Sequence, residues 1–518
     1  MLQLKTREAA LIIAIVSSLA IWWVWAAIDP LPLIEDEYSY VLQSRIFAEG
    51  HWTAPPPPAP TQLFFQQAHV IDSPAVASKF PPGHALLMSV GSFFGAPALV
   101  PLLLTGITAA LIFLLVRRVA NAWVAVLAWI IWLGDPINLR FRAAYYSEVT
   151  SGAMWMIALW ALLEWRESRR RKWLFALAAA IGWGAITRPL TMLAFAVPVG
   201  ILVIRDVIRT KLWRDFGMAA ALGTMILGVI PLWSARTTGN WRLSPLTLYQ
   251  RDYLPYDKPG FGVDMTQPAL PLMPVNRFTY IGFFAEHKFH TPANLPKIAA
   301  QRLWAIAVAE WGGPRLILVP FVLLGLLSIG GATRFALLCS FALFVGYLSY
   351  GHWKEWTLYY FEAMPPLSLL AALGLWRALT WTRGKWTSLT ATLDLRPPAR
   401  PSVAVAALLI VLTGNELRLW HDERVEMAAW DIAFHQMLTQ LPVRSAVLFV
   451  HYAPRVGPHS LVVGVSPHVM RDSIWIVNDL GADDTTLMRY AGSRVPLLFH
   501  EDGGQVEIDR ALLPHAPR

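Results

Sequence analysis

The chain has 518 residues, of which 56% are hydrophobic and only 15% are charged. A soluble protein of this composition lacks the polar surface that keeps it dispersed, so the composition predicts an integral membrane protein. The net charge of +9 does not indicate nucleic-acid binding, because the basic residues form short clusters between apolar stretches. The single cysteine, Cys339, excludes internal disulfides and any metal cluster built on cysteines.

Apolar segments of the length that crosses a membrane, about 20 residues, recur along the chain. The first, 9–28, follows Lys5 and Arg7 and predicts an uncleaved anchor. A cleaved signal peptide is the alternative, because Ala26 and Ala27 are small. Ten further segments bring the prediction to about 11 transmembrane helices: 99–116, 122–138, 148–165, 173–187, 190–208, 216–234, 314–330, 333–350, 360–380 and 402–419.

Short basic clusters predict the orientation of these helices. With the N-terminus in the cytoplasm, every cluster falls on the inner side, as the positive-inside rule expects. The clusters are 117–118, 166–172, 205–214, Arg334 and 377–400. We therefore expect a multi-pass protein of the bacterial inner (plasma) membrane. Its first loop (29–98), a second long loop (235–313) and the tail from residue 421 then lie outside the cytoplasm.

Two domains are predicted, a transmembrane domain (1–420) and a small external α/β domain (421–518). In the tail, residues 422–440 and 483–490 predict helices, and 446–451, 473–477 and 495–500 predict strands. The tail has no GxGxxG or GxxxxGK[ST] loop, so a nucleotide-binding domain is not supported. In the first loop, residues 84–95 are too few to span and predict a helix that lies against the membrane.

Three adjacent carboxylates, Glu35, Asp36 and Glu37, follow the first predicted span. Like charges this close raise each other's pKa, and neighbours on a helix point about 100° apart, so at most one points squarely into a shared cleft. A single carboxylate that reaches an acceptor's proton can act as a general base, while a neighbour holds the geometry. The alternative is a solvated helix start, because acidic residues favour the first turn of any helix.

Cations occur at several outer ends of the predicted helices, where the positive-inside rule disfavours them. Lys79, which precedes two prolines, suits a phosphate; a lysine that extends from the apolar helix behind it to the membrane surface is the alternative. Arg140 and Arg142 indicate an anionic substrate or contact with lipid phosphates. The other candidate substrate-binding residues are Tyr40, Glu148, Arg188, Lys354, Tyr359 and Tyr360.

The order of these motifs resembles the GT-C glycosyltransferases, in the branch of protein O-mannosyltransferases and lipid A aminoarabinose transferases. Asp36-Glu37-Tyr38 with Tyr40 is similar to the acidic-pair-plus-tyrosine motif after the first span. The Lys79-Phe80-Pro81-Pro82-Gly83 stretch is similar to the Lys-Pro-Pro element of that branch. Residues 140–148 resemble its second-loop stretch, which ends in a carboxylate.

Two later motifs depart from the family pattern. Thr187-Arg188-Pro189 takes the place of a Lys-Gly-Pro turn, with Arg for Lys and no Gly. Residues 359–366 resemble the Arg-Tyr…Pro-Pro-Leu segment, but Leu358 stands where an Arg is usual. One phosphate contact is therefore in doubt, and Lys354 is the candidate replacement. The resemblance covers residues 1 to about 380, and the tail resembles no family that we can name.

The resemblance implies a GT-C fold and an enzyme, a glycosyltransferase. It implies transfer of a sugar, with inversion, from a polyprenyl-phosphate-linked donor to a lipid, glycan or protein acceptor at the outer membrane face. Asp36 would be the base and Glu37 would position it or the acceptor, with Lys79, Arg142 and Arg188 at the leaving phosphate. No cofactor is expected, and a divalent metal is disfavoured because the candidates lack paired His-carboxylate spacing.

A transporter or flippase of lipid-linked or anionic solutes is the main alternative. Transporters place charged groups near the membrane midplane at broken helices, whereas the notable charges here lie at outer helix ends and no inverted repeat is visible. Two further alternatives are an envelope-glycan polymerase or ligase that uses another lipid carrier, and a non-catalytic scaffold whose tail is the working part.

Overall fold

The first loop is a folded layer of short elements. The computed structural model describes residues 6–393, 401–452, 466–501 and 505–508, most of which are helical. Its first elements are α1 (Thr6–Ala26), α2 (Glu35–Ala48), a 3₁₀ helix (Ala59–Phe65), the antiparallel strands β1 (Val70–Ile71) and β2 (Ala77–Ser78), and α3 (Gly83–Phe93). The predicted helix at 84–95 is thus confirmed as a helix.

The helical bundle follows in chain order. Its first eight helices are α4 (Leu99–Val119), α5 (Ala122–Leu133), α6 (Pro136–Arg142), α7 (Glu148–Ser168), α8 (Arg171–Ala185), α9 (Pro189–Thr210), α10 (Trp213–Leu227) and α11 (Val229–Thr238). The next are α12 (Pro245–Tyr253), α13 (Pro274–Phe289), α14 (Leu295–Trp311), α15 (Val319–Leu326), α16 (Gly331–Tyr347), α17 (Met364–Leu393) and α18 (Pro401–Thr439).

All eleven predicted spans coincide with helices or helix pairs. Among the described residues, six helices are long and apolar enough to cross a membrane, or up to eight if each of two bent pairs is one span. The pairs are α5 with α6, which bend by 63°, and residues 292–311 with 313–326, which bend by 99°. The chain therefore has several membrane-spanning helices, as predicted, and some of the predicted spans are broken.

A buried arginine stabilises the first break. The Asp135 side chain accepts a hydrogen bond from the N–H of Asn138 and so caps α6. The last carbonyls of α5 have no partner within that helix. The Arg315 guanidinium donates to two of these carbonyls, Ile131 at 3.2 Å and Gly134 at 2.7 Å. Because Arg315 lies just after the second bend, it joins the two bent pairs to each other at their bends.

The predicted second loop, 235–313, contains three helices, α12, α13 and α14. The sequence predicted no helices within it, and Pro245, Pro274 and Pro296 stand in the first turns of these helices. A proline there removes no intrahelical hydrogen bond, so it starts a helix rather than breaking it.

Three basic clusters meet at one end of the bundle. Arg118 lies 2.9 Å from Glu164, and Arg166 lies 3.0 Å from Asp206. These contacts bring together the ends of α4, α7 and α9, as expected if the clusters share one membrane face. Residues 394–400 of the cluster predicted at 377–400 lie outside the described residues. The cytoplasmic N-terminus remains a prediction.

The tail carries a small sheet, as predicted, with four strands where the sequence predicted three. It contains β3 (Ala446–His451), β4 (Ile474–Asn478), α19 (Asp484–Met488), β5 (Val495–His500) and β6 (Gln505–Ile508), in the sheet order β4-β3-β5-β6. β3 is parallel to β4 and β5, and β6, which was not predicted, is antiparallel to β5. The predicted last span and the first helix of the tail form one continuous helix, α18, across residue 420.

The sheet packs against the first loop. Phe64 and Phe65 of the 3₁₀ helix share an apolar cluster with Val447, Phe449 and Trp475. Burial of such large side chains contributes about 1.5–3 kcal/mol each. The tail is therefore attached to the loop that carries the three carboxylates.

Candidate functional site

Only one of the three adjacent carboxylates is accessible. Glu35 and Glu37 are buried, whereas the Asp36 side chain is 34% exposed. All three lie in the first turn of α2, so their directions differ by about 100° from one to the next. The helix start therefore leaves a single carboxylate of the three exposed, that of Asp36.

Glu37 holds α2 in place. Its two carboxylate oxygens accept hydrogen bonds from the backbone N–H of Tyr145 at 2.9 Å and of Leu33 at 3.4 Å. Burial raises the pKa of Glu37, and the positive charge of Arg424 on α18 partly opposes this. Glu37 thus ties the start of α2 to the turn before α7 and leaves no carboxylate face for a substrate.

His69 lies beside Asp36. Its Nε2 atom lies 3.4 Å from Oδ2 of Asp36. The His69 backbone has a positive φ of 64°, and its N–H donates to the Tyr249 hydroxyl at 3.0 Å. Because the second loop supplies Tyr249, that loop fixes the residue that contacts the candidate base.

Lys79 is buried on the same side of the site. Its ammonium lies 4.6 Å from the centroid of the Tyr249 ring and 5.1 Å from that of Phe80. Burial lowers the pKa of Lys79, while the nearby carboxylates of Asp257 and Asp36 act to raise it. Rings and carboxylates together therefore hold this buried cation in place.

Asp257 of the second loop lies near Lys79, on the same side of the site. The Tyr350 hydroxyl donates to its Oδ1 at 2.6 Å, and Nε2 of His287 lies 3.6 Å from the same oxygen. Burial acts to raise the pKa of Asp257, but its contacts with His287, Lys79 and Tyr350 outweigh this, so the pKa lies below its ordinary value. Asp257 is therefore an anion that balances Lys79.

A second cation, Arg188, enters between α8 and α9. Its guanidinium lies 2.5 Å from the buried Glu148 carboxylate and donates to the hydroxyls of Ser147 at 3.3 Å and Tyr347 at 3.2 Å. The guanidinium also lies 5.5 Å from the centroid of the Tyr359 ring. The predicted pair Glu148 and Arg188 is thus brought together.

Tyr40 lies between the group of residues around Lys79 and the group around Arg188. Its ring stacks on Phe80 at 4.8 Å, next to Lys79. Burial raises the pKa of the Tyr40 hydroxyl, and the nearby carboxylates of Glu148 and Asp36 raise this pKa further. Asp36 interacts electrostatically with Glu148 as well. One cluster therefore unites Asp36, Tyr40, Lys79, Glu148, Arg188 and Tyr359.

The other predicted residues lie elsewhere. Arg142 is buried between the rings of Trp132 and Phe361, at 4.7 and 4.8 Å, and donates to Asn138. Arg140 is exposed at the end of α6. Lys354 is exposed and pairs with Glu355, and the Tyr360 hydroxyl bonds His352 at 3.1 Å. Arg142 packs as a structural cation, and Lys354 belongs to a different cavity.

Sequence reasoning missed His69, Asp257, Tyr249 and Arg424. Arg424 lies in the charged run Asp422-Glu423-Arg424, which indicated only the helix predicted at 422–440, and the other three lie in no motif that was recognised. The Tyr-rich stretch 249–256 was the one available sign that the second loop carries part of the site.

Asn478, at the end of β4, holds the chain that leads to His69. Its Nδ2 donates to the carbonyls of Leu63 at 3.2 Å, Phe64 at 3.2 Å and Gln66 at 3.1 Å. The Gln66 side chain in turn accepts from the Met273 N–H at 3.0 Å. The tail and the second loop therefore clamp one segment that ends at the site.

Replacing Asn478 with alanine is expected to lower activity about tenfold. The change leaves buried carbonyls without a donor, at about 1–3 kcal/mol each, and frees the segment before His69. Activity and Tm of the purified variant measure this. Asn240→Ala, in an exposed loop, is the control. Unchanged activity in the Asn478 variant would mean that the clamp does not position the site.

Acid is expected to destabilise the fold through His84. Burial lowers the pKa of His84 from 6.5 to about 4. The unfolded chain therefore binds this proton first as the pH falls. Stability should decrease by about 3 kcal/mol between pH 6.5 and pH 4 and then level off. Tm against pH for wild type and His84→Asn tests this, and equal slopes for both would contradict it.

No group of three or more His, Cys, Asp or Glu side chains that could hold a metal ion occurs in the part of the chain that the structure describes. The expectation that the protein needs no cofactor or metal remains a prediction.

Comparisons with known proteins agree on the fold. Residues 84–234 match the family model described as dolichyl-phosphate-mannose-protein mannosyltransferase. ArnT from Cupriavidus metallidurans bound to undecaprenyl phosphate superposes with a TM-score of 0.51 and 17% identity, over 94% of this chain and 92% of that chain. Its apo form gives 0.53 and 15%, over 96% and 94%. No curated protein sequence matches the chain.

The predicted GT-C fold and the resemblance to this group of membrane glycosyltransferases are confirmed. The matched family segment includes Arg140, Arg142, Glu148 and Arg188. It begins after Asp36 and Lys79, so the roles of those two residues depend on the geometry described above.

Proposed function

We propose that this chain transfers a sugar from a polyprenyl-phosphate-linked donor to a lipid, glycan or protein acceptor at the outer membrane face, with inversion. The observation that carries the proposal is the position of Asp36. It is the one accessible carboxylate of three, and it lies within electrostatic reach of the buried Lys79 and 3.4 Å from His69. The family description and the undecaprenyl phosphate bound to ArnT support the donor class.

Asp36 acts as the general base. It takes the proton from the acceptor hydroxyl or amine as that atom attacks the anomeric carbon. The bond from the anomeric carbon to the phosphate oxygen breaks on the opposite face, and the phosphate keeps the electron pair. His69, 3.4 Å from the carboxylate, orients Asp36 for this proton transfer.

Lys79 and Arg188 stabilise the leaving phosphate. Negative charge grows on that oxygen in the transition state, and preorganised cations lower its energy most in a site that excludes water. Arg188 is held in place by Glu148 and Tyr347, and Lys79 by its rings and Asp257. Glu37 positions Asp36 through the backbone and touches no substrate.

The basic clusters lie at the far end of α7 and α9 from Glu148 and Arg188. This arrangement supports a cytoplasmic face at the clusters and an outer face at Asp36. We propose that the protein sits in the bacterial inner membrane, with the C-terminal sheet outside the cytoplasm.

Proteoliposomes test this proposal against the transporter alternative. They contain the purified chain and a radiolabelled polyprenyl-phosphate sugar, with or without envelope lipids and glycans as acceptors. Transfer predicts label on an acceptor together with free polyprenyl phosphate. Movement of intact donor between leaflets without any acceptor product would instead establish a flippase.

The acceptor can be identified in cells. Mass spectrometry of envelope lipids and glycans from a deletion strain should show one sugar modification missing. An unchanged envelope under conditions of expression would contradict the proposal.

A further inference from the structure

A second, polar cavity of about 270 Å³ lies between α13, α14 and the 351–356 loop. Its polar lining comes from Glu286, His290, Gln301, Arg302, His352, Lys354 and Glu355. The proposed base and leaving-group cations are not part of this lining, so the cavity has no role in the mechanism above.

His290 is the unusual residue of this cavity. It is 2% exposed, and among the described residues neither of its ring nitrogens has a hydrogen-bond partner. Its ring stacks on Phe261 at 5.1 Å, which fixes its orientation. An unpaired buried polar group costs about 1–3 kcal/mol, so a ligand that bonds His290 recovers this energy.

The charges around the cavity balance. Arg302 and Lys354 are positive, and Glu286 and Glu355 are negative. Burial lowers the pKa of His290 to about 4, so its imidazole is neutral. A neutral imidazole offers one donor and one acceptor, which is the pattern that a hydroxyl group needs. The lining therefore fits a neutral polyhydroxylated ligand better than an anion.

We infer that this cavity binds a neutral sugar residue of the acceptor. The volume lies just below the ~300–1,000 Å³ of sites for drug-sized ligands, which suits a single monosaccharide. Phe289 adds an aromatic surface for the apolar side of a sugar ring. The inference deepens the proposed function and rests on it for the identification of the sugar as part of the acceptor.

Two aromatic rings connect the cavity to the site. The Tyr359 ring lies 5.5 Å from the Arg188 guanidinium, and its centroid lies 4.5 Å from that of His352. Arg302 fixes the loop between them, because it donates to the carbonyls of Tyr347 at 2.6 Å and Tyr350 at 2.8 Å. These two rings separate a sugar in the cavity from the proposed site, as expected for a non-reacting residue of a longer acceptor.

Saturation-transfer NMR on the full chain in nanodiscs tests the inference. The probes are methyl glycosides of neutral hexoses and pentoses, and inorganic phosphate is the competitor. We expect at least one glycoside to bind the wild type and phosphate not to displace it. His290→Phe keeps the stacking on Phe261 but has no hydrogen-bonding atoms, so it should weaken binding at least tenfold.

The matched control is His421→Phe. His421 also stacks on an aromatic ring, that of Trp23 at 4.5 Å, but lies outside the cavity, so this variant should bind like the wild type. Undiminished binding by His290→Phe, displacement by phosphate, or no binding of any glycoside would each overturn the inference.

The measurement needs no sugar transfer. Asp36→Asn should therefore bind the probe normally while being inactive. Binding that depends on His290 in a protein without any transferase activity would leave the sugar site intact and refute the proposed function. Active transfer together with glycoside binding that does not depend on His290 would support the proposed function and refute the sugar site.

Discussion

Replacement of Asp36 by asparagine is expected to reduce the rate of sugar transfer by about a thousandfold. A positioned general base contributes roughly 10²–10⁴ in rate, and an amide cannot accept the acceptor's proton. The amide keeps the size of the side chain, so the donor should still bind. Initial rates of polyprenyl phosphate release in nanodiscs measure the effect, and KM for the donor should stay within about threefold because the change removes an interaction made in the transition state.

The control for this variant is Asp422→Asn. Asp422 is exposed on α18, where it contacts His421 at the surface. Removal of its negative charge should therefore leave the rate of transfer unchanged. Both variants should insert into membranes and elute from a sizing column like the wild type. Transfer near the wild-type rate in the Asp36 variant would show that another group removes the proton.

The second large effect is expected at the pair of Arg188 and Glu148. Arg188→Met leaves the buried Glu148 carboxylate without its cation, and removal of one partner of a buried pair costs about 3–5 kcal/mol. The variant should therefore lose thermal stability and fall in transfer rate by at least a hundredfold, because a preorganised charge at the leaving group is also lost. Thermal unfolding in detergent and transfer rates measure the two effects.

A double variant separates stability from catalysis. Arg188→Met combined with Glu148→Gln buries no unpaired charge, so its Tm should recover most of the loss. Its transfer rate should stay low, because the cation is still absent. Recovery of activity together with Tm would mean that Arg188 acts only through the fold. Lys258→Met, at an exposed ion pair with Asp264, is the control and should cost less than about 1 kcal/mol.

The fold was largely predictable because its strongest signals are local. Each span is a run of apolar residues whose length alone identifies it, and the strands at 446–451 and 495–500 coincide with alternating or apolar runs. The three helices of the second loop were not predicted, because prolines at a helix start and prolines in irregular chain look alike in a sequence. Glycine and proline mark both bends in the sequence, at 134–136 and 312–314. The contact that holds the first bend has no local signal, because Arg315 reaches Gly134 from 181 residues away.

The site was predictable only in part, because its contacts join residues that are far apart in the chain. Three adjacent carboxylates identified the α2 start, but the sequence could not tell which of them is exposed. The exposure of each carboxylate depends on contacts with other segments. The N–H groups of Tyr145 and Leu33 donate to Glu37, which is buried, while Asp36 stays exposed. Arg142 looked equivalent to Arg188 in sequence, yet one packs between rings inside the bundle and the other pairs with Glu148.

The sequence alone was enough to predict a membrane protein of many helices, an α/β tail and the family that its motifs resemble. These follow from composition, segment length and short motifs, which need no knowledge of distant contacts. The tertiary structure decided which groups meet. It placed His69 and Asp257 beside Asp36 and Lys79, and it attached the tail to the first loop through Asn478. Such contacts join residues far apart in the chain, and only packing of the whole fold selects them.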